Sequence, residues 1–375
     1  MNLSFTEEQE ILRKSAKDFL ASKFPKTKVK ELEESDKGYS TEIWKEMSDL
    51  GWMGLFIPEK YGGVGMTFLD QALLMEEMGK VCMPGPYFST MILGAFPILD
   101  FGTEEQKNKY LPEIANGRRI FTMALTDLNG KIAANAIDTK ATASGNGWVI
   151  KGTKMFVSDA HVADYLLCVA KTSDTSEPEK GLSIFIVDGK DKGITRTLLN
   201  AMANRLCEVK LDNVVVSKEN ILGQLNDGWG MIKQIFNRIV VAKCCEMLGM
   251  SQQMLDMTVQ YAKDRKQFDR AIGSFQIIQH YCADIFTLVE GMRLGTYQAA
   301  WKLSEGLDCM EEIAIARSWA VEATERIIGP AHQVHGAMGS AIEYDLHYYT
   351  RYLKASELTL RSADFYPEVL AQTIY

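Results

Sequence analysis

Strand-forming patterns are confined to one stretch of this chain, and that confinement restricts the available folds more than any other feature. The stretch opens near Ile120 and closes at Ile221-Leu222-Gly223. Inside it, Ser144-Gly145-Asn146-Gly147 reads as a turn that Trp148-Val149-Ile150 leaves as a strand. Residues 165–170, 182–187, 209–212 and 214–216 are further strand-like runs, rich in Val, Ile and Leu. Helical patterns flank the stretch on both sides. Thr6-Glu7-Glu8-Gln9 is a capping box, and Ile11, Leu12, Phe19 and Leu20 follow it before Pro25 ends the helix. Ile43, Trp44, Met47 and Leu50 mark a second helix, stopped by Gly51. Helices are expected over 69–78, 90–99 and 104–114, with a break at Pro84-Gly85-Pro86. After Gly228 the chain is rich in Ala, Met and Leu and poor in breakers, which suits three or four antiparallel helices in a bundle. The expected class is α+β in three blocks, not alternating βαβ: helical over 1–118, β over 119–223, helical over 224–375.

Composition narrows the function. The 375 residues are 46% hydrophobic and 24% charged, the balance of a soluble globular protein with a large core. A net charge of −8, with Lys and Arg spread along the chain, argues against a nucleic-acid surface. The seven cysteines show no CxxC spacing and lie mostly in apolar periodic segments, which reads as reduced, buried thiols in an intracellular protein. The acidic N-terminus lacks a secretory core, and no apolar run approaches the roughly 18–20 residues of a membrane span. The expected location is cytoplasmic.

Several residues carry chemistry. A small sheet between helical blocks can hold a flat conjugated ligand. Phe156 offers a face to stack on, and Thr126 and Ser158 offer hydroxyls. Arg265-Lys266-Gln267-Phe268-Asp269 follows a helix, and Ser274-Phe275-Gln276 follows that. Gln333-Val334-His335-Gly336-Ala337-Met338-Gly339 reads as a helix-ending glycine loop. Arg suits a pyrophosphate, Gln an adenine edge, and Gly336 and Gly339 a close backbone approach to phosphate. In this order they fit one dinucleotide. The glycine-rich run from Phe56 to Gly65 lacks the strand and helix of a phosphate loop and is read as a tight connection. His332 and His335 have chelating spacing but no third ligand in sequence, so no metal site is expected. Glu311, Glu312 and Arg317 are read as a solvated helix face.

Taken as an ordered set, these motifs resemble the acyl-CoA dehydrogenase family along essentially the whole chain. The carrying residues are Trp52-Met53-Gly54-Leu55 with Pro58-Glu59-Lys60-Tyr61-Gly62-Gly63-Val64-Gly65, then Ala124-Leu125-Thr126-Asp127 and Gly152-Thr153-Lys154-Met155-Phe156-Val157-Ser158-Asp159-Ala160. Arg265-Lys266-Gln267-Phe268, Phe275-Gln276 and Gln333-Val334-His335-Gly336 complete it. The resemblance implies an N-terminal helical domain, a middle β-barrel-like domain and a C-terminal four-helix bundle, assembled as a tetramer with one FAD per subunit. It implies Met123, Leu125 and Thr126 beside the flavin pyrimidine, Phe156 on the isoalloxazine and Ser158 near N5. Arg265, Phe268 and Gln276 would hold the diphosphate and adenine end, with Gln333 and Gly336 reaching FAD across a subunit interface. The implied reaction is α,β-dehydrogenation of an acyl-CoA, with electrons passed to an electron-transferring flavoprotein.

The departures from the family pattern are informative. Asp269 stands where the family has Gly, and Ala337 replaces the second Gly of the loop. The usual base is a Glu at one of two places, which here hold Asn237, before Arg238, and Leu360, before Arg361. Neither takes a proton at neutral pH. The remaining carboxylates to consider are Glu357, Asp127 and Glu246. Glu246 lies nine residues past Asn237, half a helical turn out of phase. Asn237, Arg238, Leu360 and Arg361 would wall an acyl cavity suited to bulky, cyclic or carboxylated groups, with Arg361 as a carboxylate clamp. A base-lacking partner subunit in a heteromeric dehydrogenase is the alternative expectation.

Overall fold

The computed structural model describes residues 5–361. The chain gathers into two compact units, one of residues 32–66 and 84–239, the other of residues 5–31, 67–83 and 240–361. The N-terminal helices are α1 (Glu7–Lys23), α2 (Lys26–Glu34), α3 (Thr41–Asp49), α4 (Phe68–Lys80), α5 (Tyr87–Thr90), α6 (Phe96–Phe101) and α7 (Glu104–Ala115). The strands are β1 (Phe121–Ala124), β2 (Lys140–Ser144), β3 (Gly147–Ser158), β4 (Tyr165–Lys171), β5 (Leu182–Asp188), β6 (Ile194–Leu198), β7 (Leu206–Ser217) and β8 (Ile221–Leu222). After them come α8 (Gly228–Asp264), the short strands β9 (Lys266–Gln267) and β10 (Arg270–Ala271), then α9 (Gln276–Ser304), α10 (Met310–His335) and α11 (Leu346–Arg361). The class is α+β, with helices on both sides of one main β region in sequence; the small β9–β10 hairpin lies inside the stretch expected to be helical.

The sheet-bearing unit is built on strand order β6-β7-β3-β2-β4-β5-β8, with β1 added parallel to β4. β4 and β5 are buried on both faces along most of their length, which is why they read as continuous apolar runs. β7 alternates, turning Cys207, Val209 and Leu211 into the core with Ile150, Cys168 and Phe185. β2 and β6 escape a hydrophobic reading because most of their residues are not buried. The expected helix over 90–99 is broken into α5, a π-helical stretch Met91–Ala95, and α6. Pro97 has no N–H to offer residue 93, and Gly94 lies so close to β1 that a Cβ would meet Phe121 Cβ at 2.3 Å. The loop from Phe56 to Gly65 is tight: a Cβ on Gly63 would fall 1.9 Å from the Ile57 carbonyl oxygen.

The helical unit depends on close backbone approaches. A Cβ on Gly79 of α4 would lie 2.2 Å from the Glu246 carbonyl oxygen, and one on Gly249 of α8 1.9 Å from that of Glu76. The two helices therefore cross backbone to backbone. Beside the crossing, Glu76 is buried and receives Arg293 Nη1 at 2.9 Å, Lys80 Nζ at 3.5 Å and the Tyr297 hydroxyl. Burial alone would raise its pKa, but Arg293 and Lys80 hold the carboxyl below the ordinary value. The capping box at Thr6 is formed, with Gln9 answering. Arg317 corrects its solvated reading. It is buried and donates to the Leu360 carbonyl oxygen at 3.0 and 2.7 Å, while Glu312 pairs with Lys302. Among the described residues all seven cysteines are free thiols, six buried and Cys282 partly so. Burial pushes Cys168 up to about 11 and Cys244 to about 12.

Candidate functional site

In the sheet-bearing unit the two segments that carry hydroxyls and aromatic surface lie side by side. Met155 N–H donates to the Thr126 carbonyl at 2.8 Å, Asp127 and Lys154 form an antiparallel bridge, and Thr122 Oγ1 donates to the Ser158 carbonyl at 2.6 Å. Along β3 the register against β7 slips between Lys154 and Val157, which pair with Val209 and Cys207. Three steps on β3 therefore face two on β7, the mark of a β-bulge. Phe156 sits in that bulge with φ of 58°, and the residue is 52% exposed. A bulky residue in the left-handed region is uncommon, and an aromatic held outward there is a ready stacking face. Gly130 lies against the ring edge, where a Cβ would meet Phe156 Cε2 at 3.7 Å. Met123 and Leu125 are buried, and Thr126 and Ser158 are half-buried.

Asp127 and Lys154 belong to two separate sequence motifs that the fold brings into contact. Lys154 is fully buried. Its ammonium donates to the Leu125 carbonyl at 2.8 Å and pairs with Asp127 Oδ1 at 2.7 Å. Asp127 also accepts from the Thr139 hydroxyl at 2.8 Å, Thr139 N–H at 2.7 Å and Asp138 N–H at 2.5 Å. Four donors fill the capacity of a carboxylate. Gly152 is small because Thr139 crosses it, with a Cβ reaching Thr139 Oγ1 at 2.4 Å. Asp127 is thus committed to holding the sheet, and this leaves it nothing with which to take a substrate proton.

The helical unit carries the other group. Phe268 and Asp269 form the turn between β9 and β10, with φ of 52° and 60°, as a type I′ hairpin requires. The family glycine at position 269 suits that positive φ, and Asp is among the residues that tolerate it. Phe268 is 87% exposed. Arg265 and Gln276 are exposed on either side of the hairpin. Gln333 is exposed near the end of α10, and Gly336 caps that helix with φ of 59°. The ends of α8 and α10 meet through Tyr261 and His335, whose ring centroids are 4.5 Å apart, with Tyr344 against His335. His335 is buried, and burial lowers its pKa. No group of three His, Cys, Asp or Glu able to hold a metal exists among the described residues.

The other carboxylates weighed as bases are engaged as well. Glu357 is 1% exposed and pairs with Lys354 at 2.6 Å. Glu246 pairs with Lys243 at 2.5 Å. Leu360 is buried and gives its carbonyl to Arg317, while the side chain of Arg361 lies outside the described residues. Asn237 is half-buried. Arg238 is bound to Asp100 and lies over the Phe96 ring, 4.8 Å from its centroid; Phe96 in turn stacks on Phe56 at 3.5 Å. Burial raises the Asp100 pKa, with Arg238 opposing.

Known proteins resemble this chain in sequence and fold. Family models for the acyl-CoA dehydrogenase N-terminal, middle and C-terminal domains match residues 6–118, 122–214 and 226–359. A 3-(aryl)acrylate reductase of Clostridium sporogenes is 33% identical over 351 residues, covering 91% of this chain and 92% of its own. The caffeyl-CoA reductase-Etf complex subunit CarC of Acetobacterium woodii is 32% identical over 346 residues, 91% of each chain. The structure of the ChsE4-ChsE5 complex from Mycobacterium tuberculosis superposes with a TM-score of 0.89 at 27% identity, covering 100% of this chain and 99% of that one.

Proposed function

The chain belongs to the acyl-CoA dehydrogenase family of FAD-dependent oxidoreductases, and from that premise we propose that it carries out α,β-dehydrogenation of an acyl-CoA whose acyl group is bulky, cyclic or carboxylated. The observation that carries this reading is the outward Phe156 on its bulge, with residues 123–127 pinned alongside. A planar apolar face flanked by hydroxyls fits a flavin ring, and the guanidinium of Arg265 fits a diphosphate. Met123, Leu125, Thr126, Phe156 and Ser158 would hold the ring. Arg265, Phe268 and Gln276 would hold the diphosphate and adenine end, and Gln333 and Gly336 would do so for a neighbouring subunit. When bound, FAD supplies a hydride acceptor at N5. The chain's part is to orient the thioester, exclude water and remove the α-proton. Asn237, Arg238, Leu360 and Arg361 would bound the acyl cavity. The relatives named for arylacrylate and caffeyl-CoA support ring-bearing acyl groups.

A second reading is favoured by one feature: Asp127, Glu246 and Glu357 each sit in an ion pair, and the usual base positions hold Asn237 and Leu360. In that reading the chain is the FAD- and CoA-binding partner of a sister subunit that supplies the base. The Etf and ChsE4-ChsE5 complexes support partners of these kinds, an electron-transferring flavoprotein and a second chain. We place the assembly as a homo- or heterotetramer in the cytoplasm; no described helix is long and apolar enough to cross a membrane. The test is anaerobic addition of cyclic, aromatic-derived and dicarboxylic acyl-CoAs to the purified yellow protein. Bleaching of the flavin supports the dehydrogenase. Flavin that stays oxidised with every thioester, and bleaches once a sister chain is added, supports the partner reading. Arg361→Ala should erase any preference for carboxylated thioesters, and an unchanged preference removes the clamp.

A further inference from the structure

We propose that Lys154 is a positioning residue for the flavin, acting through the peptide group that joins Leu125 to Thr126. This rests on the placement of Thr126 beside the flavin pyrimidine in the preceding reading. Lys154 occupies a costly position. An ammonium with no exposure to water is stable only where acceptors surround it, and here they are the Asp127 carboxylate and one backbone carbonyl, that of Leu125. The Leu125 carbonyl and the Thr126 N–H are the two ends of one peptide. A charged donor on the carbonyl draws electron density away from the nitrogen and makes its N–H the stronger donor. The segment is also fixed in place, because Thr126 C=O is held by Met155 N–H and Asp127 by Thr139 and Asp138. Strand β3 therefore does two things within three residues. Lys154 reaches back to charge and anchor the 125–126 peptide, and the bulge then turns Phe156 outward.

Lys154 and Asp127 act on that peptide with opposite sign. Removing the ammonium while keeping the carboxylate makes the surroundings of the ring more negative. Removing the carboxylate charge while keeping the ammonium makes them more positive. A ring that gains electrons responds in opposite directions to these changes. A contact that only stabilises the sheet would respond to both in the same direction.

The experiment uses full-length Lys154→Met and Asp127→Asn, each loaded with FAD, and reads the midpoint potential of the bound flavin. The expected result is a lower potential for Lys154→Met and a higher one for Asp127→Asn. Potentials that move together, or not at all, with FAD bound stoichiometrically, overturn the proposal. Wild-type protein that binds no FAD overturns the flavin reading on which it rests. Should either single variant fail to fold, Lys154→Met/Asp127→Asn removes both charges together. Its Kd for FAD should rise roughly tenfold, the worth of one charge-assisted contact. A double variant with wild-type affinity also overturns the proposal.

Discussion

Phe156 and Phe268 have the same unusual backbone and opposite foundations. Both hold φ above +50° and both are exposed, at 52% and 87%. Left-handed backbone at a residue with a Cβ costs on the order of 1–2 kcal/mol. In the sheet-bearing unit that cost is met by a buried ion pair, a filled carboxylate and a twelve-residue strand on either side of the ladder. In the helical unit it is met by a hairpin of two two-residue strands. The comparison suggests that the bulge is preorganised for one ring position. The hairpin is a light element whose aromatic tip stands exposed.

The largest effect expected from breaking this comparison is at Asp127. Asp127→Ala strands the Lys154 ammonium and three backbone and hydroxyl donors, at about 3–5 kcal/mol. Thermal unfolding should show a large fall in melting temperature, and a fall of only a degree or two would mean the bulge stands without its buttress. A helical-unit counterpart is Gly249→Ala. The added Cβ must push α8 away from the Glu76 carbonyl, at about 1–3 kcal/mol, measurable by urea denaturation.

Phe156→Ala should weaken FAD binding by a factor of about 2–10, from the roughly 0.5–1.5 kcal/mol of ring stacking, with little change in melting temperature. The smallest effect is at the hairpin. Asp269→Gly should raise stability by about 1 kcal/mol or less, because Gly takes positive φ freely. It should also tighten FAD by removing a negative charge, which fluorescence titration would read. A matching loss at both Phe156 and Asp269 would erase the distinction between the two turns.

Acid separates the units in another way. Glu76 has a folded pKa below its ordinary value of 4.5, so the stability it confers is present above that value and is lost as pH falls through the lower folded pKa. Urea midpoints taken from pH 6 downward should hold until the ordinary carboxylate range and then drop. Arg293→Met should flatten that drop.

The block order of the fold was legible because strands and helices leave different periodicities, and the capping box at Thr6 is a local chemical signature. Strands β2 and β6 were not, since exposed polar strands lack an apolar pattern. The π-helical turn at Met91–Ala95 was hidden for a related reason: Pro97 and Gly94 act through a backbone partner and a neighbouring strand that a linear reading does not contain. In the site, Phe156 and Thr126 stood out as stacking and hydrogen-bonding types. The role of Lys154 did not, because a lysine in a strand ordinarily points to water, and only the fold brings Asp127 and the Leu125 carbonyl to it. Arg317 misled for the same reason: a charged residue on a helix is read as solvated, and tertiary contacts bury it.

The most direct measurement is a crystal structure of the FAD-loaded protein. The isoalloxazine is expected against Phe156 with its pyrimidine edge at residues 125–126. A flavin bound away from the bulge, or a protein that takes up none, would contradict it.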